Sequence, residues 1–341
     1  MNREVHVGRR MLKTTGHGGA RLWGGLALVV CVACGGQQKP AEEPIDPAVA
    51  SLEQPEAEER EVTPESGEVK RASDLIKQQK YDEAAQILAK ETKSSPKDAQ
   101  AAFFYGVALE GLGKAAEAEA EYRRAIGLDA QLIESSQNLS ALLLQQEKNT
   151  DALAVTDKAL EHAPKDGALL ANRALALDML GRPEAVGAYE QLLEVKPDDQ
   201  ANRFNYAVAL YTNKRPDDAK AQLAKINSTD LELVADVEKL QVALKDFAGC
   251  ISTWDRVINA ASSAEALTHR ARCRLMAGDP KTAEADLKAA LGLDEKSAIA
   301  HFYYGMMLKK NGKKAEAKTH FQAAVAADPN SDFGKAAKAE L

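Results

Sequence analysis

The feature that most constrains this chain of 341 residues is a period of about 34 residues, which runs from about residue 71 almost to the end. One small side chain recurs in every period. These positions are Ala84, Ala118, Ala152, Ala185, Ala219, Cys250, Ala283 and Ala317, at successive spacings of 34, 34, 33, 34, 31, 33 and 34 residues. A unit this short cannot bury its own apolar face, so successive units must stack into one continuous core.

Within each period the pattern predicts two antiparallel helices. A second small-residue column precedes the first by about twelve positions, at Ala72, Gly106, Ser140, Ala174, Ala207, Ala271 and Gly305. Turn residues such as GLGK and KNGK lie between the two columns. Aromatic residues make up only 5% of the chain and the apolar share is mostly Ala and Leu, which favours helices over strands.

Two segments show the residue pattern clearly: AFFYGVALEGLGKAAEAEAEYRRAIGLDA from Ala102 and HFYYGMMLKKNGKKAEAKTHFQAAVAADP from His301. They resemble the tetratricopeptide repeat, and the resemblance covers about residues 65–331. It implies an all-α fold, a right-handed superhelix (an α-solenoid) of about eight helix-turn-helix units. We therefore assign the repeat array to residues 71–331 and a short C-terminal capping helix to residues 332–341.

One repeat unit, near residues 231–263, departs from this pattern. Glu238 and Gln241 stand where small and apolar residues are expected, and a shift of one residue would put Val237 and Leu240 there instead. The preceding unit is about three residues short. Two interpretations stay open: a local change of superhelix curvature near residues 225–250, or sequence drift without consequence.

The N-terminus predicts export. A basic start precedes the apolar run Leu22–Ala33, which is too short to span a bilayer and suits a signal peptide over residues 1–33. The junction of Ala33 and Cys34 resembles a bacterial lipoprotein signal, which implies acyl chains on Cys34. The alternatives are an ordinary signal peptide and, for the export route, a twin-arginine pathway suggested by Arg9 and Arg10.

Residues 34–70 predict a disordered tether. Between Gln37 and Lys70 ten acidic residues stand against three basic ones, with several prolines and no apolar periodicity. Such a segment cannot bury enough apolar surface to order itself, and its like charges keep it extended. It would hold the folded array away from a membrane.

The sequence predicts neither catalysis nor a cofactor. No nucleotide-binding, zinc-protease or hydrolase motif is present. The histidines of the array lack metal-ligand spacing, so no metal site is expected. A net charge of -7 argues against nucleic acid. Cys250 and Cys273, the two thiols of the array, are either a disulfide of an exported protein or two small buried side chains.

The resemblance also implies a concave groove lined by the first helix of each unit. The residues predicted to bind a partner there are Phe103, Asn138, Asn172, Phe204, Asn205 and Tyr211. The three Asn residues occupy equivalent positions, and an amide can pair with a peptide backbone of any sequence. The alternative is that Asn is simply frequent at this position. Further family groove positions are Val107, Glu110, Gln137, Leu144, Asp178, Val208, Arg272, Phe302, Met306 and Lys309.

Together these features predict a non-catalytic, lipid-anchored scaffold that binds envelope proteins. The chain is similar to tetratricopeptide-repeat lipoproteins of Gram-negative bacteria, which serve type IV pilus secretin assembly, outer-membrane assembly or gliding motility. The alternative is recruitment or regulation of a cell-wall enzyme. Gly35 follows Cys34 where Asp would signal retention in the inner membrane, which favours the outer membrane facing the periplasm. The particular machine and the oligomeric state stay open.

Overall fold

A computed structural model describes residues 66–341, and all regular secondary structure in that range is α-helical. The helices are α1 (Gly67–Lys77), α2 (Tyr81–Ser94), α3 (Ala99–Gly111), α4 (Ala115–Leu128), α5 (Ile133–Gln145), α6 (Asn149–Leu160), α7 (Gly167–Met179), α8 (Ala185–Val195), α9 (Gln200–Thr212), α10 (Pro216–Leu223), α11 (Leu231–Ala243), α12 (Phe247–Ala260), α13 (Ala264–Ala277), α14 (Pro280–Leu293), α15 (Ala298–Lys310), α16 (Lys314–Ala327) and α17 (Asp332–Lys338). Seven pairs of consecutive helices pack against each other, which confirms the predicted α-solenoid of helix-turn-helix units: α1–α2, α3–α4, α5–α6, α7–α8, α11–α12, α13–α14 and α15–α16.

The described residues fall into two compact bodies, divided between Arg215 and Pro216. The N-terminal body, residues 66–215, holds α1 to α9. The C-terminal body, residues 216–341, holds α10 to α17. The division lies next to the irregular part of the repeat, and each body is described by itself below.

Small residues allow the two helices of a pair to pack closely. In the N-terminal body Ala84, Ala118 and Ala152 have no exposed surface. A Cβ atom added to Gly106 in α3 would lie 2.7 Å from the ring of Tyr122 in α4, so the ring occupies the space that a larger side chain would need. The predicted small columns are therefore the close contacts of the array.

Every turn from the first to the second helix of a repeat unit contains a residue with a left-handed backbone. Gly113 and Gly312 adopt positive φ there, at 73° and 81°, as their missing Cβ allows. Other turns place a non-glycine residue in the same conformation. These residues are Gln79, Glu147, Lys214 and Lys245. The turn geometry is thus kept even where the glycine signal is missing from the sequence.

The array starts slightly earlier than predicted. Helix α1 begins at Gly67, so the last residues of the predicted tether are helical. The side chain of Ser66 caps α1 by accepting from the backbone N–H of Val69 at 3.1 Å, and Val69 and Ala72 are fully buried. Residues 1–65, with the predicted signal peptide, Cys34 and most of the tether, lie outside the described residues. At the other end, α17 lies within the predicted capping segment.

The irregular repeat is packed despite its polar residues. Val237 and Leu240 are fully buried, as the one-residue shift predicts. Glu238 and Gln241 are buried too, and both make polar contacts there, although Oε1 of Gln241 is buried without a hydrogen-bond partner. The Nε2 of Gln241 donates to the hydroxyl of Thr253 at 3.1 Å, and Glu238 contacts His269 and Arg272. The preceding helix, α10, has only eight residues.

Candidate partner-binding faces

The structure places four of the six predicted groove residues in the interior of the N-terminal body. Phe103 and Asn172 are each 6% exposed, Asn205 is 1% exposed and Phe204 is fully buried. Only Asn138 and Tyr211 are partly exposed. These four side chains therefore pack in the core and expose little area that a partner could contact.

The recurring Asn amides make contacts between successive repeat units. The Nδ2 of Asn172 in α7 donates to the carbonyl oxygen of Gln137 at 3.2 Å and to the hydroxyl of Ser140 at 2.9 Å, both in α5. The Nδ2 of Asn138 in α5 donates to the hydroxyl of Tyr122 in α4 at 3.4 Å. The amide donors of Asn172 are thus used inside the array and are not presented to a bound peptide.

A partly buried carboxylate, that of Glu110, lies beside this network. The hydroxyl of Tyr122 donates to Oε2 of Glu110 at 2.6 Å. Burial raises the pKa of Glu110, and the hydrogen bond from Tyr122 opposes that rise. Burial also raises the pKa of Tyr122 well above its ordinary value. The hydroxyl of Tyr122 thus links Glu110 of α3 to Asn138 of α5.

The C-terminal body presents a more open first-helix surface. We call it the α13–α15 face, and it consists of Arg272 and Met276 on α13 with Phe302, Met306 and Lys309 on α15. The two helices pack against each other, and all five side chains are at least partly exposed. Phe302, Met306, Arg272 and Lys309 are family groove positions predicted from the sequence, whereas Met276 was not singled out.

Aromatic packing holds the α13–α15 face in place. The ring of Phe302 lies 5.8 Å from that of Phe333 in α17 and 6.2 Å from that of Phe321 in α16, measured between centroids. Arg272 bonds Glu238 at 3.2 Å, and Lys309 pairs with Glu340. The face therefore offers apolar and sulfur-containing side chains between two cations that already have acidic neighbours.

The structure joins Cys250 of α12 to Cys273 of α13 in a disulfide, with their Cα atoms 5.8 Å apart. Both residues are fully buried. Of the two interpretations left open by the sequence, the geometry is that of the bridged pair.

Two histidines that looked scattered in the sequence meet in the last repeat unit. The Nδ1 atoms of His301 in α15 and His320 in α16 are 2.9 Å apart, so one of them must be unprotonated to accept. The Nε2 of His301 lies 3.0 Å from the carbonyl oxygen of Glu295. Burial, with the neighbouring His301, lowers the pKa of His320. The repeat pattern places the two residues on the paired helices of one unit, and the packing of α15 on α16 brings their rings together.

Over residues 66–341, no helix is long and apolar enough to cross a membrane.

Comparison with known proteins agrees with the repeat pattern. Two family models described as tetratricopeptide repeat match residues 69–133, 270–332 and 183–244, which together span more than half of the chain. A comparison with curated protein sequences finds no match.

Solved structures with the same kind of fold show only low identity. A tetratricopeptide repeat protein from Parabacteroides merdae is 19% identical, with 71% of this chain and 98% of that chain covered and a TM-score of 0.42. YrrB, described as a TPR protein with an unusual peptide-binding site, is 18% identical over 63% and 96% of the two chains, with a TM-score of 0.39. Pseudomonas aeruginosa pilF is 15% identical over 70% and 96%, with a TM-score of 0.44. These likenesses say nothing about the partners of this chain. On the family models and the repeated helix pairs, the chain belongs to the tetratricopeptide-repeat family.

Proposed function

We propose that this chain is a non-catalytic, lipid-anchored scaffold that binds other proteins of the bacterial cell envelope. Membership of a repeat family that generally binds peptides and proteins supports the scaffold. The lipoprotein-like junction at Cys34 and the acidic segment after it support the anchor and the tether. Gly35 supports an outer-membrane location facing the periplasm.

The observation that carries the binding role is the α13–α15 face. It is a partly exposed apolar surface made of Met276, Phe302 and Met306 at or beside positions that line the family's groove. Methionine side chains adapt to different partners because they are unbranched and polarizable. The face therefore fits an amphipathic helix or an extended peptide with large apolar side chains.

The binding role is tested by replacing Met306 with Glu in the full chain and identifying cross-linked partners in cells. Burying a carboxylate against an apolar partner is unfavourable, so Met306→Glu should lose the partners that the wild type captures. Leu293→Glu is the matched control, since Leu293 is a 60% exposed apolar residue at the end of α14. An unchanged partner set in Met306→Glu, with helicity preserved by circular dichroism, would rule out this face.

The same experiment separates the two functional classes. Secretin, outer-membrane assembly or motility proteins among the captured partners would indicate a structural adaptor. Cell-wall hydrolases or synthases would indicate that the chain recruits an enzyme.

The anchor has its own test. Cys34→Ser should leave the protein unprocessed or release it from the membrane fraction, because each buried CH₂ of an acyl chain contributes about 0.8 kcal/mol to attachment. Cys31→Ser, three residues earlier, is the control and should remain anchored. Equal processing and equal membrane attachment of Cys34→Ser and wild type would contradict the lipoprotein assignment.

A further inference from the structure

Three consecutive helices of the C-terminal body bring two sulfurs and a carboxylate together. Glu238 comes from α11, Cys250 from α12 and Cys273 from α13, and their potential ligand atoms all lie within 4.8 Å of one another. Glu238 is 2% exposed and both cysteines are fully buried. The cluster is thus closed to bulk water.

The surroundings hold the carboxylate of Glu238 in one orientation. Its Oε2 lies 2.7 Å from Nδ1 of His269, and its Oε1 accepts from Nη1 of Arg272 at 3.2 Å. The same Oε1 is 3.9 Å from Sγ of Cys273. While the cysteines are bridged their sulfurs carry no proton, so the disulfide offers this oxygen no hydrogen bond. Only when the two sulfurs are reduced can they share a proton or a metal ion with this buried carboxylate.

We propose that, with the disulfide reduced, Cys250, Cys273 and Glu238 bind one thiophilic divalent ion, Zn²⁺ being the natural choice. Thiolate ligands select such ions over Mg²⁺ and Ca²⁺. Zn–S distances of about 2.3 Å and Zn–O distances of about 2.1 Å put neighbouring ligand atoms about 3.6 Å apart in a tetrahedron. The separation between Oε1 and Sγ of Cys273 is already close to that value, whereas the sulfurs must move apart when their bond breaks.

Charge also fits this ion. Two thiolates and one carboxylate carry three negative charges, which a divalent cation and the Arg272 guanidinium together balance. His269 on the second carboxylate oxygen fixes the orientation of Glu238, as outer-shell partners of metal ligands commonly do. The site therefore has three protein ligands, a balancing cation and an orienting histidine.

The chemistry needs one reductant, a dithiol. It transfers two electrons and two protons to the Cys250–Cys273 bond, giving two thiols and the oxidised, cyclic disulfide of the reductant. Binding of Zn²⁺ then displaces the two thiol protons into solvent. The bridged and metal-bound forms exclude each other, because the same two sulfurs serve both.

The test uses the full chain with Cys31→Ser and Cys34→Ser, so that the only remaining thiols are those of the cluster. The protein is reduced with a dithiol, freed of reductant without oxygen and titrated with Co²⁺ alone, then with Zn²⁺. We expect one equivalent of Co²⁺ to bind with thiolate-to-cobalt charge-transfer absorption that Zn²⁺ abolishes. The oxidised protein should show none of this absorption.

Two variants isolate the carboxylate. Glu238→Gln should weaken Co²⁺ binding at least tenfold, because it removes a ligand and a negative charge. Glu265→Gln, at an exposed position in the first turn of α13, is the control and should leave the affinity unchanged. Reduced protein without the charge-transfer band, equal Co²⁺ binding before and after reduction, or an unchanged affinity in Glu238→Gln would each overturn the proposal. The first two comparisons use no cluster variant, so they hold even if Glu238→Gln fails to fold.

Discussion

At the scale of single residues, the recurring asparagines show how one pattern can serve a different purpose from the one expected. Asn138, Asn172 and Asn205 were predicted to face a ligand. In the structure Asn172 instead ties α7 to α5 through two hydrogen bonds. An amide at this position is satisfied by the neighbouring repeat unit, which is a reason for its recurrence that needs no bound peptide.

Asn172→Ala should therefore lower stability. The change removes the donor to the buried Ser140 hydroxyl, while the carbonyl oxygen of Gln137 still accepts from that hydroxyl. Loss of the donor to a buried acceptor costs about 1–3 kcal/mol. Urea unfolding of the two proteins measures the difference. Asn138→Ala, at a partly exposed site with one long hydrogen bond, should cost less. If Asn172→Ala unfolds like the wild type but loses partners, the amide acts on a ligand after all.

Gly106 and Gly127 form a second residue-scale pair with opposite expected effects. A Cβ at position 106 would lie 2.7 Å from the buried Tyr122 ring, whereas position 127 in α4 has nothing within 4 Å. Gly106→Ala should lower the free energy of unfolding by about 1–3 kcal/mol through overpacking. Gly127→Ala should raise it by up to about 1 kcal/mol, because Ala favours a helix interior. Thermal unfolding that shifts both variants in the same direction would refute the packing argument.

At the scale of elements, helix pairing was predictable and the contacts that pairing creates were not. Small residues that recur at a fixed spacing predict which helices pair, because two helices can approach closely only where their facing side chains are small. Glu238 looked like a defect for the same reason, since its partners His269 and Arg272 lie one repeat away in sequence. The left-handed turns at Glu147 and Lys245 likewise contain no glycine at the positive-φ position, so the sequence does not predict them. Local chemistry predicts a helix pair, but long-range partners decide which polar residues the core accepts.

The contact between α15 and α16 should make the last repeat sensitive to acid. Burial and His301 lower the pKa of His320 below the ordinary value of 6.5, while Glu316 opposes the shift. Above pH 6.5 His320 is neutral in both the unfolded and the folded chain, so its titration takes nothing from the free energy of unfolding. As the pH falls, the unfolded chain binds the proton first, so stability is lost towards the lowered pKa of the folded state.

The measurement is the melting temperature of wild type and His320→Gln at about pH 7.5 and about pH 5.5, which bracket the ordinary titration of histidine. The melting temperature should fall more between these two pH values in the wild type than in His320→Gln. Titrating groups that do not interact with His320 affect both proteins equally, so they cancel in the comparison. Parallel losses would show that the histidine pair does not sense pH in this range.

At the scale of the whole molecule, the repeat family followed from the sequence, whereas the division into two bodies did not. The sequence indicated an irregularity near residues 225–250, and the boundary falls at Arg215 and Pro216, slightly before it. The short helix α10 follows this boundary and buries only Ala219 and Leu223. A period detects repeat units, but it does not measure how much each unit contributes to the core.

Limited trypsin digestion should therefore cut early after Lys225. This exposed residue lies in the segment 224–230, which joins α10 to α11 without helical structure. Lys165, exposed between α6 and α7, is the internal control. It should be cut later, because both of its neighbouring helices are longer than α10. Mass spectrometry of the first fragments checks the order. Equal rates at the two lysines would show that the array is no weaker near α10.

The covalent bridge between α12 and α13 limits how far the chain can extend when it is pulled. Its two cysteines are 23 residues apart in sequence, so the intervening segment cannot extend under load while the bond is intact. At roughly 3.4 Å per extended residue, this withholds contour length on the order of 80 Å from a pulled chain. Tension applied along the polypeptide would run through the sulfur atoms, and the turn between these two helices would carry none of it.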